Sequence, residues 1–172
     1  ADGKVIGRCM GRSEFGARAL GNRSIIADPR RLKVIKTINE KVKSRDFWMP
    51  FAPSILEEKA EDYLINPKGI KAPYMTIAFE TKPLAWDDLP AALHQADLTA
   101  RPQIVTKDAN SGYHALISEF YKLTGVGCVL NTSFNVHGEP IVQTPQDAFD
   151  VFERTDLDAL LLEGYLIERK IP

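Results

Sequence analysis

The sequence predicts an α+β or α/β domain in which helices flank a mixed β-sheet. Three observations predict it. Short apolar runs of strand length, of which 126–130 is the clearest, are interleaved with stretches whose apolar residues recur at helical spacing. Cap and turn residues punctuate both kinds of segment. The 172 residues, 44% hydrophobic and 26% charged, suit one globular domain. A chain of this mass buries about 70% of its extended surface, so a core needs neither metal nor disulfide. The two cysteines, Cys9 and Cys128, form no CxxC or CxxH pair, and a reducing cytoplasm is the expected compartment. No apolar run approaches the roughly 18 residues of a membrane span. The chain opens on Ala1 rather than Met, as expected of a piece of a longer polypeptide.

Lys4–Arg8 reads as a short strand, and the basic, glycine-punctuated residues 11–22 read as loop. Asp28-Pro29 predicts a helix start, with Asp as N-cap and Pro where a missing N–H costs nothing. Leu32, Ile35, Ile38 and Val42 give that helix its apolar stripe, and it should end near 43–45. The prolines of Phe47–Pro53 hold that segment extended. Ser54-x-x-Glu57 reads as a capping box for a second helix running to Leu64. Asn66-Pro67-Lys68-Gly69 is a turn, and Tyr74–Phe79 has strand composition. Residues 81–98 read as a mobile flap or loop with a helical turn. Asn110 or Ser111 caps a helix carrying Tyr113, Leu116, Phe120 and Leu123, stopped by Gly125. Val126–Leu130 is a buried strand. Thr144-Pro145 opens a last helix, with Asp147 in its first turn and Ala148 and Phe152 inward. Leu157–Leu162 and Tyr165–Glu168 form a hairpin about Glu163-Gly164.

Charge is unevenly distributed. Residues 1–45 hold 12 Lys/Arg against 4 Asp/Glu, whereas residues 46–172 hold 10 against 19. Either the first part presents a basic surface to an anion, or the two parts neutralise each other in the fold. A pI near 6.4 argues against a dedicated nucleic-acid binder.

Residues 11–23 contain three arginines, Arg12, Arg18 and Arg23, and three glycines. Arginine forks fit phosphate or carboxylate oxygens, and glycine lets backbone N–H groups approach an anion. Neither GxxxxGK[ST] nor GxGxxG is present. The plain alternative is that these arginines pair with the acidic part of the chain. The cations of Lys43-Ser44-Arg45 converge if that segment is extended, and otherwise satisfy a helix C-terminus. Asn131-Thr132-Ser133-Phe134-Asn135 lies at the carboxyl end of an apolar strand, where open α/β sheets bind ligands; an Asx- and Ser-rich turn is the alternative. Arg101 is a further candidate cation. His94, His114 and His137 have no metal-ligand spacing, so no metal site is expected, and no GxSxG elbow occurs.

Together these segments resemble the carboxy-terminal domain of the O-carbamoyltransferase family, which includes nodulation-factor and antibiotic carbamoyltransferases. The anchors are Gly11-Arg12-Ser13-Glu14-Phe15-Gly16-Ala17-Arg18-Ala19-Leu20-Gly21-Asn22-Arg23-Ser24, Pro50-Phe51-Ala52-Pro53-Ser54, Thr99-Ala100-Arg101, and Leu130 to Asn135 with Gly138-Glu139-Pro140. They span nearly the whole chain. The resemblance implies a YrdC-like twisted mixed sheet flanked by helices, with residues 1–172 as one C-terminal domain of a two-domain enzyme. It implies that this domain binds carbamoyl phosphate and ATP, with Mg²⁺ on the nucleotide, and forms carbamoyl-adenylate with release of pyrophosphate. A Kae1-like N-terminal domain, absent here, then passes the carbamoyl group to an acceptor hydroxyl.

Lys43-Ser44-Arg45 and Ser133-Phe134-Asn135 match the Lys-x-Arg and Ser-x-Asn signatures of YrdC-like domains. Lys43 and Arg45 are therefore the implied catalytic cations. Arg12, Arg18, Asn22, Arg23, Ser24, Arg101, Asn131, Thr132, Ser133 and Asn135 are the implied contacts of substrate and nucleotide. The chain departs from the family at two positions: Met49 stands where many members have Arg, and Leu98 where many have Gly. No membrane or nucleic-acid partner is expected. One rival reading is an RNA- or nucleotide-binding module, prompted by the basic first 45 residues. Phe15 is the only aromatic among them, whereas single-strand binders offer several stacking platforms. A non-catalytic docking domain is the other rival.

Overall fold

The computed structural model of the chain describes residues 1–43 and 49–169, without the side chains of Lys41 and Lys43. Among the described residues, seven strands form one sheet: β1 (Ile6–Cys9), β2 (Arg23–Ala27), β3 (Ala52–Leu56), β4 (Gln103–Val105), β5 (Cys128–Ser133), β6 (Ala159–Leu162) and β7 (Tyr165–Glu168). Their spatial order is β4-β3-β5-β2-β1-β6-β7. The β3–β4 and β1–β6 pairs are parallel and the others antiparallel, so the sheet is mixed and open. The helices are α1 (Lys33–Ile38), α2 (Ala60–Tyr63), α3 (Pro83–Asp88), α4 (Ser111–Thr124) and α5 (Pro145–Arg154). This is the α+β arrangement that the interleaved patterns predict.

Side chains alternate across a strand, so each strand serves two faces. Cys9, Ile25, Ala27, Leu130 and Leu160 face one side, where Ile38 and Val42 and the α5 residues Ala148, Val151 and Phe152 cover them. Ile55 and Cys128 extend that face under Tyr63, Leu64, Leu89 and Leu93. The opposite face divides in two. Its apolar half (Ile26, Leu56, Val105, Val129) packs on Tyr113 and Ile117 of α4. Its other half is polar and buried: Arg8, Ser24, Ser54, Gln103 and Asn131. The 11–22 segment covers most of that half, and Tyr113 of α4 lies over Arg8.

Several boundaries differ from expectation. Asp28 does not cap α1, which begins at Lys33. Asp28 is buried and ion-paired with Arg30 at 2.6 Å instead. The buried stripe is Val34, Ile38 and Val42, while Leu32 is exposed. Ser54 opens no helix: it sits inside the fully buried strand β3, and the expected helix starts later, as a 3₁₀ turn Glu57–Lys59 that runs into α2 and ends at Leu64. The Tyr74–Phe79 run makes one isolated bridge, Phe79 to Ala100, because its residues alternate poorly between core and solvent. Residues 81–98 contain the expected helical turn, α3, but are packed rather than flap-like: Ala85, Leu89, Ala91, Ala92 and Leu93 are all buried. The other signals hold. Asn110 Oδ1 accepts from Tyr113 N at the start of α4, and Gly125 ends it at φ 77°. Thr144 and Asp147 form a capping box on α5, and β6–β7 is a hairpin.

Candidate functional site

Four strands hold the 11–22 segment by its backbone. Asn131 Nδ2 on β5 donates to the Ala19 carbonyl (3.2 Å), and Gln103 Nε2 on β4 donates to that of Leu20 (2.8 Å). Arg8 Nη1 on β1 donates to the Gly21 carbonyl, while Gly21 N donates to Ser24 Oγ on β2 (3.0 Å). Three successive carbonyls thus meet three donors, as buried polar groups require. Gly21 is needed here: its φ is 117°, and a Cβ would lie 2.4 Å from Tyr113 Cδ1. From outside, Glu14 Oε1 accepts from the N–H groups of Leu20 (2.7 Å), Asn22 (2.6 Å) and Arg23 (3.3 Å).

Arg23 is buried and locks the segment's other end. Its five N–H donors reach the carbonyls of Met10, Gly11, Asn22 and, twice, Gln143. All its donors are therefore used inside the fold. Ser24 is fully buried. Asn22 joins Arg12 O, Arg8 and Asn110. What remains exposed is Gly11, Arg12 and the tip Phe15–Arg18. Neither the Arg12 nor the Arg18 side chain has a hydrogen bond or ion pair among the described residues.

Arg18 borders an open cleft of about 410 Å³. The cleft unites residues far apart in sequence: Arg18 and Ala19 from the loop, Met49–Ala52, Met75, Arg101, and Asn131-Thr132-Ser133 of β5. Arg101 is oriented by donating to the Met75 carbonyl. Ser133 Oγ donates to Asn135 Oδ1 (2.7 Å), and Asn135 Nδ2 donates to Glu139 O (2.6 Å). That places Asn135 behind Ser133. Two cations and the Thr132 hydroxyl on one concave surface can receive an anion, with the Asn131 amide in the same lining for a polar tail. Across the loop tip, a second cleft of about 580 Å³ is lined by Phe15, Tyr74, Asn22 and Asn110, so Asn22 turns away from Arg18.

Of the expected site, Arg18, Arg101, Asn131, Thr132 and Ser133 therefore come together. Arg23 and Ser24 are framework, and Arg12 and Asn22 stand outside the cleft. The backbone of Lys43 ends a π-helical segment, Asn39–Lys43, while its side chain and all of Arg45 lie outside the described residues. Sequence reasoning missed Arg8, Gln103 and Glu14, which set the loop. Glu14 sits in the conspicuous segment, but nothing in its spacing marks it as an anchor; Gln103 carries no signal at all.

The surplus of cations in the first 45 residues is partly internal: Arg8, Arg23 and Arg30 all act within the fold. Burial lowers the pKa of the Arg8 guanidinium, which lies 5.3 Å from the Tyr113 ring centre. Burial raises both thiols, Cys9 and Cys128, which makes them poor nucleophiles. Among the described residues no cluster of His, Cys, Asp or Glu is placed to hold a metal ion, and no helix is long and apolar enough to cross a membrane.

The family described as Carbamoyltransferase C-terminus matches residues 1–169. An uncharacterized protein of Methanocaldococcus jannaschii is 49% identical over 171 residues, covering 99% of this chain and 28% of that protein. Nodulation protein NolNO of Sinorhizobium fredii is 46% identical over 171 residues, 99% of this chain and 25% of its own length. Nodulation protein NolO of Bradyrhizobium diazoefficiens is 44% identical over 171 residues, 99% and 31% respectively. The chain spans less than a third of each of these relatives. With a match that runs from the first residue to within three of the last, the chain belongs to the carbamoyltransferase C-terminus family.

Proposed function

We propose that this chain is the activating part of an O-carbamoyltransferase: it binds carbamoyl phosphate and ATP and forms carbamoyl-adenylate. One observation carries the reading. Arg18, Arg101, Thr132 and Ser133, separated by up to 115 positions, converge on one cleft beside the Pro50-Phe51-Ala52 segment. Joining two polyanions is chiefly a charge problem. Water releases phosphate from carbamoyl phosphate. The carbamate oxygen then attacks the α-phosphorus, and the bond to the bridging oxygen breaks, with pyrophosphate leaving. Fixed cations and hydroxyls reduce the repulsion on approach and meet the charge that moves onto the leaving group. Arg18 and Arg101 take phosphate oxygens, and the Thr132 hydroxyl donates beside them, while Ser133, whose proton goes to Asn135, can only accept toward the ligand. Lys43 and Arg45, the cations of the Lys-x-Arg signature, are assigned to stabilising the phosphate and carbamoyl oxygens. Mg²⁺ arrives with the nucleotide, held mostly by phosphate and water.

Transfer to an acceptor hydroxyl belongs to a Kae1-like N-terminal domain of the longer protein. The relatives' extra length and the nodulation names of two of them support that division. We place the reaction in the cytoplasm, in keeping with two buried, unpaired thiols. The test is carbamoyl phosphate-dependent exchange of labelled pyrophosphate into ATP, with calorimetry for each ligand. Wild type should exchange and bind both, while Lys43→Ala, Arg45→Ala, Arg18→Ala and Arg101→Ala should lose exchange with the fold intact. Near-normal exchange in all four variants would remove the assignment. Absence of heat with either ligand would favour a docking domain.

A further inference from the structure

The cleft is lined by a residue with one unpartnered buried atom, the Oδ1 of Asn131. A chain of hydrogen bonds fixes which end of this amide is oxygen. Gln103 Nε2 donates to the Leu20 carbonyl (2.8 Å), which leaves Gln103 Oε1 facing Ser54. The Ser54 hydroxyl donates to that oxygen (2.8 Å), so toward Asn131 it can only accept. Asn131 accordingly presents Nδ2 to Ser54 Oγ (3.0 Å), to the Ala19 carbonyl (3.2 Å) and to Gln103 Oε1 (3.4 Å). A flipped amide would set an oxygen against three acceptors. Nδ2 is thus consumed by the framework, and Oδ1 is left over on a side chain 1% exposed.

A leftover acceptor has a definite chemistry. It repels phosphate oxygens and needs an N–H. The sequence suggests Asn131 as a phosphate or nucleotide contact, but the only donor that could serve a phosphate is already engaged. Carbamoyl phosphate has two unlike ends: an acceptor-only phosphate and an amide NH₂ that donates. The lining of the cleft supplies the matching pair of chemistries, the cations Arg18 and Arg101 and, on Asn131, an acceptor without a partner.

We propose that Asn131 Oδ1 accepts a hydrogen bond from the carbamoyl amide and thereby selects carbamoyl phosphate over acyl phosphates that lack an N–H. This rests on the cleft being the carbamoyl phosphate site. A buried acceptor left unpaired by the wrong ligand rejects that ligand more strongly than a change of shape would. Acetyl phosphate is the natural probe, because a methyl group replaces the NH₂ at nearly constant size.

The test needs no substitution. The side-chain amide signal of Asn131 in ¹⁵N-labelled protein, assigned through its Cβ, is followed by NMR during titration with carbamoyl phosphate, acetyl phosphate, inorganic phosphate and ATP. Calorimetry gives the affinities. Carbamoyl phosphate should bind about tenfold or more tightly than acetyl phosphate. It alone should shift the Asn131 signal. Equal affinity for the two acyl phosphates overturns the inference and leaves the site standing. So does an Asn131 signal that bound carbamoyl phosphate does not move, or one that ATP alone moves. Failure of every phosphate compound to bind overturns the inference and the site together.

Discussion

Replacing Glu14 by glutamine removes a charge and almost nothing else, and it probes how the arginine-bearing loop is held. The carboxylate oxygen accepts three backbone N–H groups, two of them at 2.6 and 2.7 Å and the third at 3.3 Å. Hydrogen bonds to a charged partner contribute about 1.5–3 kcal/mol each and neutral ones about 0.5–1.5 kcal/mol. Glutamine keeps the acceptor but weakens the two short bonds by about 1 kcal/mol each, and the long third adds little. The expected loss is about 2 kcal/mol. With a urea slope of about 2 kcal/mol per molar, the unfolding midpoint falls by about 1 M at an unchanged slope. Glu14→Ala also strands the Leu20 and Asn22 N–H groups and should lose about 3 kcal/mol. Urea melts followed by circular dichroism measure both. Affinity for carbamoyl phosphate should fall in parallel, because Arg18 sits on the same loop. A glutamine variant with a midpoint within about 0.2 M of wild type would refute the clamp.

Gly21→Ala places a methyl 2.4 Å from the Tyr113 ring at φ 117°, and should lose at least about 3 kcal/mol, read as a large drop in Tm. Met49→Arg adds a cation to the lining of the cleft and should tighten phosphate-ligand binding several-fold by calorimetry; unchanged affinity would place residue 49 outside the ligand's reach. Burial alone would raise the Asp28 carboxyl, but the hydrogen bonds and charge of Arg30 outweigh it and hold it below its usual 3.8. Its stabilisation is therefore present above the unfolded pKa and lost as pH falls through the folded one. The Tm deficit of Asp28→Asn should be full at pH 7 and shrink below about pH 4; a constant deficit would contradict the pairing. Cys9 and Cys128 are fully buried with raised thiol pKa values, so a thiol reagent should label neither in the native protein and both in denaturant.

Local chemistry was legible wherever one short segment decides the outcome. The Asn110 cap, the Gly125 stop, the Thr144-Pro145 helix start and the β6–β7 hairpin each depend on neighbours within a few residues. Long-range partners were not legible. Ser54-x-x-Glu57 has the spacing of a capping box, and Pro53 argues against a central strand. Ala52–Leu56 is nonetheless strand, because β4 and β5 flank it on both sides. Asp28 followed by proline suits an N-cap until Arg30 claims the carboxylate. In the site, the arginine loop and the Asn-Thr-Ser segment announced themselves by composition. Which arginines face the cleft depends on carbonyls that Arg23 meets at Gln143, 120 positions away.

The placement of β1 ties the two ends of the chain together. It lies between β2, reached by a short connection, and β6, with Val5 N bonded to an Asp158 carboxylate oxygen 153 positions later. During synthesis one flank of β1 must wait unpaired until β6 leaves the ribosome. Closing so long a loop is slow, and an open strand flank invites pairing with foreign chains. Deleting the β6–β7 hairpin would accordingly unzip β1 as well, although more than 150 residues separate the two.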